Sequence, residues 1–203
     1  MRYEYLYHSM HNDPELTHKE IPDVLAQEIK VALSYYPELA ETPIAFRFKK
    51  DIKKSTMQAQ PAFSSLLNPR AKRKYFVFIS EKIQIETESF KITDIPSDVL
   101  IGWIGHELGH IMDYKNRSSL GLVWFGLKYL YFPKFIREAE RAADTFAVSH
   151  GMGKYILVTK DFILNHAHIS AKYKARIKRL YLSPEEIMIL INENKNLEEE
   201  LEV

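Results

Sequence analysis

Residues 96–116 are PSDVLIGWIGHELGHIMDYKN, and this stretch decides the fold more than any other part of the chain. Its apolar residues recur on nearly every side of a helix over residues 97–116, so the sequence predicts a buried helix. Gly102, Gly105 and Gly109 fall on one side of it, although each costs about 1 kcal/mol relative to alanine. Close approach by another element would explain these glycines, and a structural reason alone would do so equally well.

The same helix contains the motif His106-Glu107-Leu108-Gly109-His110. Residues four apart lie one turn above each other, so both imidazoles point the same way. Two neutral imidazoles bind first-row metals well, and zinc is the default. Glu107 would reach a water in the open coordination position. In a buried helix these groups cost free energy unless they are paired or metal-bound, and two satisfied core histidines with an incidental glutamate are the structural alternative.

A catalytic zinc normally takes a third protein ligand. Metzincin spacing would require glycine at position 113 and His or Asp at 116, but the chain has Asp113 and Asn116 there. That arrangement is excluded, so a carboxylate from a later helix is the remaining option.

Residues 138–144, EAERAAD, supply the candidate carboxylates. Glu140 and Asp144 are four apart and share one helix face with small apolar residues, whereas Glu138 projects roughly 160° away from Glu140. Glu140 is therefore favoured as the third ligand, and Asp144 would accept the N–H of a ligating histidine and fix its tautomer.

The combined pattern HExxH…ExxxD, over residues 106–110 and 140–144, resembles the gluzincin clan of metallopeptidases. It is most similar to the CAAX-prenyl and heat-shock membrane metalloproteases and their soluble minimal relatives, and the phage-immunity-repressor protease family has a similar HELGH helix. The resemblance covers about residues 74–150 and is specific at five positions. It implies a zincin-like fold with a zinc ion, in which an edge strand of a short mixed sheet pairs with an extended peptide. The implied roles are ligands His106, His110 and Glu140, base Glu107 and supporting residue Asp144.

The expected fold class is α+β, with a short mixed β-sheet over a metal-binding helix and a helical C-terminal half. One domain is expected over residues 1–203, made of an N-terminal helix and sheet (1–95), metal-binding helices (96–150) and a helical C-terminal part (151–203). Periodicity and turn signals predict the elements. The strands are 44–50, 56–63 and 74–80, the last being the expected edge strand; the helices are 22–36, 97–116, 133–150, 155–165, 170–180 and one that begins at Ser183.

Composition constrains partners and compartment. A formal net charge of +1 with 27 acidic and 28 basic residues does not favour nucleic acid. The basic runs at 70–74 and 172–179 are expected to be solvated. There is no cysteine, which excludes thiolate ligands and disulfides. The first residues lack the pattern of a secretory signal, so a cytoplasmic location is the default. Residues 120–136 are strongly apolar, and three interpretations stay open: core or cleft wall, peripheral membrane contact, or a partner interface.

These patterns predict a zinc-dependent peptidase that acts on a peptide or protein with a metal-activated water and Glu107 as general base. The alternative is a zincin-fold regulatory or binding protein that does not cleave, which the intact Glu107 disfavours. Asp113 would either contact the outside of a ligand or cap its helix. Five residues are candidate oxyanion donors: His150, His166, His168, Tyr173 and Arg176. Three histidines are expected on the surface: His8, His11 and His18.

Overall fold

A small mixed sheet occupies the first half of the protein. The computed structural model describes residues 16–201 except 51, 53, 54, 70, 71, 86, 87, 166–168 and 170. Its sheet strands are β1 (Lys19–Glu20), β2 (Ile44–Lys49), β3 (Met57–Pro61) and β4 (Tyr75–Ser80), in the spatial order β1-β2-β4-β3. β1, β2 and β4 are parallel, and β3 is antiparallel to β4.

The strand order corrects one expectation. Residues 74–80 do not form an edge strand, because β4 bonds to β2 on one side and to β3 on the other. The edge strands are β1 and β3, and β3 packs against the helix that carries the HExxH motif. On one face of the sheet the guanidinium of Arg47 in β2 lies 4.9 Å from the ring of Phe76 in β4.

Three short strands escaped sequence prediction. β1 contains only two residues, and β5 (Lys82–Ile85) pairs with β6 (Glu88–Lys91) in a separate two-stranded sheet. Such short strands lack the alternation that makes a longer strand recognisable.

The α+β class with a helical C-terminal half is confirmed: the predicted helices occur in the predicted order, with one further helix at 119–131 that was not predicted. One helix, α1 (Ala26–Ser34), precedes the sheet strands β2 to β4. The later helices are α2 (Ser97–Asn116), α3 (Ser119–Tyr131), α4 (Pro133–Ala147), α5 (Gly153–Asn165), α6 (Ala171–Leu180) and α7 (Pro184–Leu201).

Helix α2 is the centre of the core. Every residue from 99 to 111 is buried, and α1, α4, α5 and β3 pack around the helix. The glycines permit this packing. A Cβ at Gly109 would lie 2.4 Å from the carbonyl oxygen of Ala143 in α4, and one at Gly102 would lie 2.5 Å from that of Tyr155 in α5. Of the two explanations left open by the sequence, the structure shows close approach by another element at Gly102 and Gly109.

Residues 120–136 are not a core segment. Helix α3 buries Leu122 but exposes Leu120, Val123, Trp124 and Leu127 to solvent. None of the helices that the structure describes combines the length and apolarity needed to cross a membrane.

Both basic runs, 70–74 and 172–179, were expected to be solvated, and one residue of the first run is not. Arg73 is buried, and its guanidinium donates to the carbonyl oxygen of Arg117 at 2.7 Å and to the hydroxyl of Ser119 at 3.0 Å. Lys72 and Lys74 are exposed as expected. Arg73 therefore holds the beginning of α3 against the segment that precedes β4.

Candidate metal centre

Two helices bring the predicted ligands together. The close contact at Gly109 lets α4 cross α2 with Glu140 facing the histidine pair. One carboxylate oxygen of Glu140 lies 3.1 Å from Nε2 of His106 and 3.4 Å from Nε2 of His110. All three side chains are buried. The potential ligand atoms of the three residues lie within 4.8 Å of one another, so the cluster could hold a metal ion.

The donor set suits zinc. Two imidazoles and a carboxylate form a ligand set that catalytic zinc sites use, with metal–ligand distances of about 2.0–2.2 Å. Ligands at that distance around a tetrahedral ion are about 3.4 Å apart, close to the two separations from Glu140. The cluster could therefore hold a metal ion, and its donor types are ones that zinc accepts.

Asp144 supports His106 from behind. One oxygen of Asp144 lies 2.9 Å from Nδ1 of His106. Its other oxygen accepts from Nζ of Lys160 at 2.8 Å and from the backbone N–H of Leu182 at 3.0 Å. A proton on Nδ1 leaves Nε2 of the neutral ring available to a metal. The predicted contact between Asp144 and a histidine of the pair is confirmed.

These contacts set the charges of the cluster. Burial alone would raise the pKa of Asp144, but Lys160 and His106 outweigh it and hold the pKa of this carboxyl below its usual value. Burial likewise opposes the ionised form of Glu140, yet the two histidines hold its pKa well below the ordinary range. Burial lowers the pKa of His106, but hydrogen bonds with Asp144 and Glu140 prevail and raise it to about 10.

The two histidines are held differently. Among the described residues, Nδ1 of His110 has no hydrogen-bond partner although it is buried. Its ring packs parallel to that of Tyr114, at a centroid distance of 6.0 Å and an angle of 15°. His110 is therefore oriented by packing, whereas His106 is oriented by a carboxylate.

Glu140 has a further partner on α3. The hydroxyl of Tyr129 donates to the second carboxylate oxygen of Glu140 at 2.8 Å. Burial first, and then the carboxylate, raise the pKa of this phenol, so Tyr129 stays protonated. This hydrogen bond fixes which oxygen of Glu140 faces the histidines.

Glu107 lies between α2 and the edge strand β3. One of its carboxylate oxygens accepts from the backbone N–H of Ala59 in β3 at 2.6 Å. Burial raises the pKa of Glu107, an effect that His110 and His106 partly oppose. Beside Glu107 and His106 lies a cavity of about 40 Å³. Its wall also includes Met57, Trp103, Ile156, Lys160, Tyr173 and Tyr181.

The structure separates the alternatives that the sequence left open. Glu138 is exposed and lies 3.9 Å from Lys134, which agrees with the choice of Glu140. Asp113 pairs with Arg117 at 2.9 Å, as expected of a residue at a solvated helix end.

The candidate oxyanion donors are dispersed. Tyr173 lines the cavity beside Glu107. His150 stacks on Tyr36 at 4.5 Å, and its Nδ1–H donates to the carbonyl oxygen of Phe146 at 2.7 Å. Arg176 follows Tyr173 on α6 and is half-buried. His166 and His168 lie outside the described residues.

Of the three histidines predicted to lie on the surface, one is among the described residues. His18 is exposed and lies 3.2 Å from Glu41. His8 and His11 lie outside the described residues.

Four contributors were not predicted from the sequence. They are Ala59, Tyr129, Lys160 and Tyr181, whose ring lies 5.4 Å from that of His106 and 4.1 Å from the ammonium of Lys160. A lysine that falls on the buried side of an otherwise apolar helix, as Lys160 does in α5, is a signal that could have been used, since buried charges are normally paired. No sequence pattern distinguishes the other three.

Comparisons of the chain with known protein families, with curated proteins and with solved structures gave no match. Function is therefore inferred from the geometry of the cluster of His106, His110, Glu140 and Glu107.

Proposed function

We propose that this protein is a zinc-dependent peptidase of the zincin type, with His106, His110 and Glu140 as zinc ligands and Glu107 as the general base. One observation carries the proposal: the buried side chains of His106, His110 and Glu140 converge from α2 and α4, and the buried carboxyl group of Glu107 lies beside them. A purely structural pair of core histidines would not require Glu107.

A bound zinc ion would supply a Lewis acid that polarises the scissile carbonyl and lowers the pKa of a coordinated water. Glu107 would take a proton from the attacking water and deliver it to the departing amine. Burial raises the pKa of Glu107, which is the direction that favours a carboxyl group able to accept and return a proton. The N–H of Ala59 holds one oxygen of Glu107 and leaves the other for the water.

Two tyrosines supply candidate donors for the developing oxyanion. Tyr173 and Tyr181 both line the cavity beside His106 and Glu107. Burial raises the pKa of each phenol, so both keep an O–H to donate. Such donors stabilise the transition state most effectively in a site from which water is excluded.

A second candidate function is a zinc-binding protein of the same fold that does not cleave. The burial of the cluster and the small volume of the adjoining cavity, about 40 Å³, favour it, because this space is too small for a peptide. The edge strand β3 adds to this argument. The N–H of Ala59 is used by Glu107, its carbonyl oxygen accepts from the hydroxyl of Tyr114 at 3.4 Å, and Pro61 has no N–H to offer. A peptide would therefore find few free groups on β3 for strand addition.

Metal analysis and a cleavage assay separate the two functions. The purified protein should contain about one zinc per chain, as the ligand set predicts, and should cleave casein, an unstructured substrate, until a chelator is added. Glu107→Gln should keep its zinc and lose cleavage, while Glu138→Gln, an exposed neighbour of the site on α4, should keep both.

Each outcome has one meaning. Zinc binding without cleavage of casein by the wild-type protein would assign the second function. Cleavage that persists in zinc-loaded Glu107→Gln would remove Glu107 from the mechanism. Failure of the wild-type protein to bind zinc would reject both functions.

A further inference from the structure

Helix α3 exposes its apolar side to solvent. Five residues form what we call the α3 face: Leu120, Val123, Trp124, Leu127 and Tyr131. At 100° per residue they fall within an arc of about 100°, which is the width of the stripe that an ordinary surface helix buries. Leu120 is 84% exposed, Tyr131 74% and Trp124 61%.

The opposite side of α3 is fixed to the protein. Leu122 is buried in the core, Tyr129 bonds to Glu140, and Phe125 packs against the ring of Tyr114 at 5.9 Å. The helix is therefore held with its apolar stripe toward solvent. The exposed residues belong to a helix that is firmly attached to the protein.

A second segment with exposed apolar side chains is joined to the beginning of α3. The hydroxyl of Ser119, at the first residue of α3, donates to the carbonyl oxygen of Leu66 at 2.5 Å. The residues around Leu66 include Leu67, which is 95% exposed, and Phe63, which is 86% exposed. The segment that this hydrogen bond joins to the beginning of α3 thus also exposes large apolar side chains.

Basic residues outnumber acidic ones along these two segments, although Arg117 pairs with Asp113 and Lys134 lies 3.9 Å from Glu138. Residues 52–80 and 114–137 contain no aspartate or glutamate, although the chain has 27 acidic residues in all. The two segments contain these basic residues: Lys53, Lys54, Arg70, Lys72, Arg73, Lys74, Lys115, Arg117, Lys128, Lys134 and Arg137. Near-neutral overall charge conceals this asymmetry.

We propose that the α3 face binds the surface of an anionic lipid bilayer. Exposed leucines, a tryptophan and a tyrosine beside lysines and arginines are the composition of helices that lie in the interface between lipid and water. The ammonium of Lys128 lies 5.5 Å from the ring of Trp124, where it can meet lipid phosphates while the ring enters the acyl boundary.

Charge and length decide between the possible occupants. A second copy of the chain would bring the same basic segments against this face, so self-association would be repulsive. Helix α3 has 13 residues and is about 20 Å long, whereas a bilayer core is about 30 Å thick. The helix therefore lies along the surface, and its attached side keeps Tyr129 next to Glu140.

The test uses the full-length protein and vesicles. Binding to vesicles of phosphatidylcholine and phosphatidylserine is measured by co-sedimentation and compared with binding to vesicles of phosphatidylcholine alone. The protein has two tryptophans, and Trp103 is 9% exposed, so a blue shift of fluorescence on vesicle addition reports on Trp124. We expect binding to the anionic vesicles, a blue shift, and weaker binding as salt is added.

Variants locate the binding face. Trp124→Ser combined with Leu127→Ser, and separately Lys134→Glu combined with Arg137→Glu, should each weaken binding by about tenfold or more. Ile189→Ser, which changes an exposed apolar residue on α7, is the matched control and should bind like the wild-type protein. Thermal unfolding of each variant verifies that it is folded.

Three results would overturn the proposal. The first is no binding to anionic vesicles at low salt. The second is loss of binding that is equal in the Ile189→Ser control and in the α3 variants. The third is a concentration-dependent dimer, seen by analytical ultracentrifugation and absent in the Trp124→Ser and Leu127→Ser variant, which would assign the face to a second copy.

Discussion

Asp144 on α4 lies 2.9 Å from Nδ1 of His106 on α2, and its other oxygen binds the ammonium of Lys160 on α5. A single carboxylate thus joins three helices directly behind a candidate metal ligand. Since Leu182 also donates its N–H to this group, the segment before α7 is tied to the same point. The orientation of His106 therefore depends on residues far from the HExxH motif in sequence.

We expect Asp144→Asn to weaken zinc binding by roughly 10–100-fold, because an outer partner of a ligating histidine is lost. It should also destabilise the fold by about 3–5 kcal/mol, since Lys160 becomes an unpaired buried charge. Adding Lys160→Met should recover most of the stability but not the zinc affinity. Chelator competition and denaturant unfolding measure the two effects. Equal recovery of both would show that Asp144 acts through stability alone.

Substitution of glycine by alanine should have opposite effects in α2 and α3. Gly109→Ala places a Cβ 2.4 Å from the carbonyl oxygen of Ala143, so α4 must move and stability should fall by about 1–3 kcal/mol. Zinc affinity should fall as well, because α4 carries Glu140. Gly126→Ala meets nothing within 4 Å and should stabilise the protein by about 0.5–1 kcal/mol. Urea unfolding of both variants tests the prediction, which fails if Gly109→Ala is neutral.

Glu107→Gln should make the metal-free protein more stable at neutral pH. Burial raises the pKa of Glu107 in the folded state. As pH rises above the ordinary value of 4.5, the unfolded chain loses this proton first, so the wild-type protein loses stability through that window. Glutamine stays neutral and can still accept from Ala59. Thermal unfolding of both proteins at several pH values should show curves that converge at acidic pH, and a variant less stable at neutral pH would contradict this account.

The pair between Arg141 and Glu186 should stabilise the protein only above acidic pH. The hydrogen bond from Arg141 lowers the pKa of Glu186 to about 2. The contribution of the ionised carboxylate is fully present above about 4.5 and is lost as pH falls toward 2. Glu186→Gln should therefore cost about 0.5–1 kcal/mol at pH 7, a value reduced by solvent exposure of the pair, and nothing at the acid end. Glu193→Gln, exposed on the same helix, is the control for the unfolding measurements.

The sequence predicted the order of the longer elements and the cluster of ligands. The buried helix α2 could be recognised because its residues are apolar on nearly every side. The spacing of Glu140 from Asp144 identified the correct face of α4. The last helix begins next to Ser183, as predicted, and Ser183 and Glu186 bond reciprocally there in the pattern of a capping box. These predictions succeed because they depend on contacts within one element or on burial of a whole face.

The remaining features depend on contacts between distant segments. The position of β4 inside the sheet follows from β3 folding back against it, which periodicity within 74–80 does not reveal. The bond from Ala59 to Glu107 joins residues 48 apart, and its donor is a backbone group that every residue has. The exposed stripe of α3 was visible as an apolar segment, but only packing showed which side faces solvent.

The three candidate ligands and Glu107 all come from residues 106–140, while Ala59 and Lys160, which orient Glu107 and Asp144, come from outside this interval. A protein engineer who grafts α2 to α4 onto another scaffold would therefore carry over the ability to capture a metal. The graft would lack the backbone donor and the buried ammonium that adjust the acidity of its carboxyl groups. In this molecule, the candidate metal ligands and the groups that adjust the acidity of the carboxyl groups come from different parts of the chain.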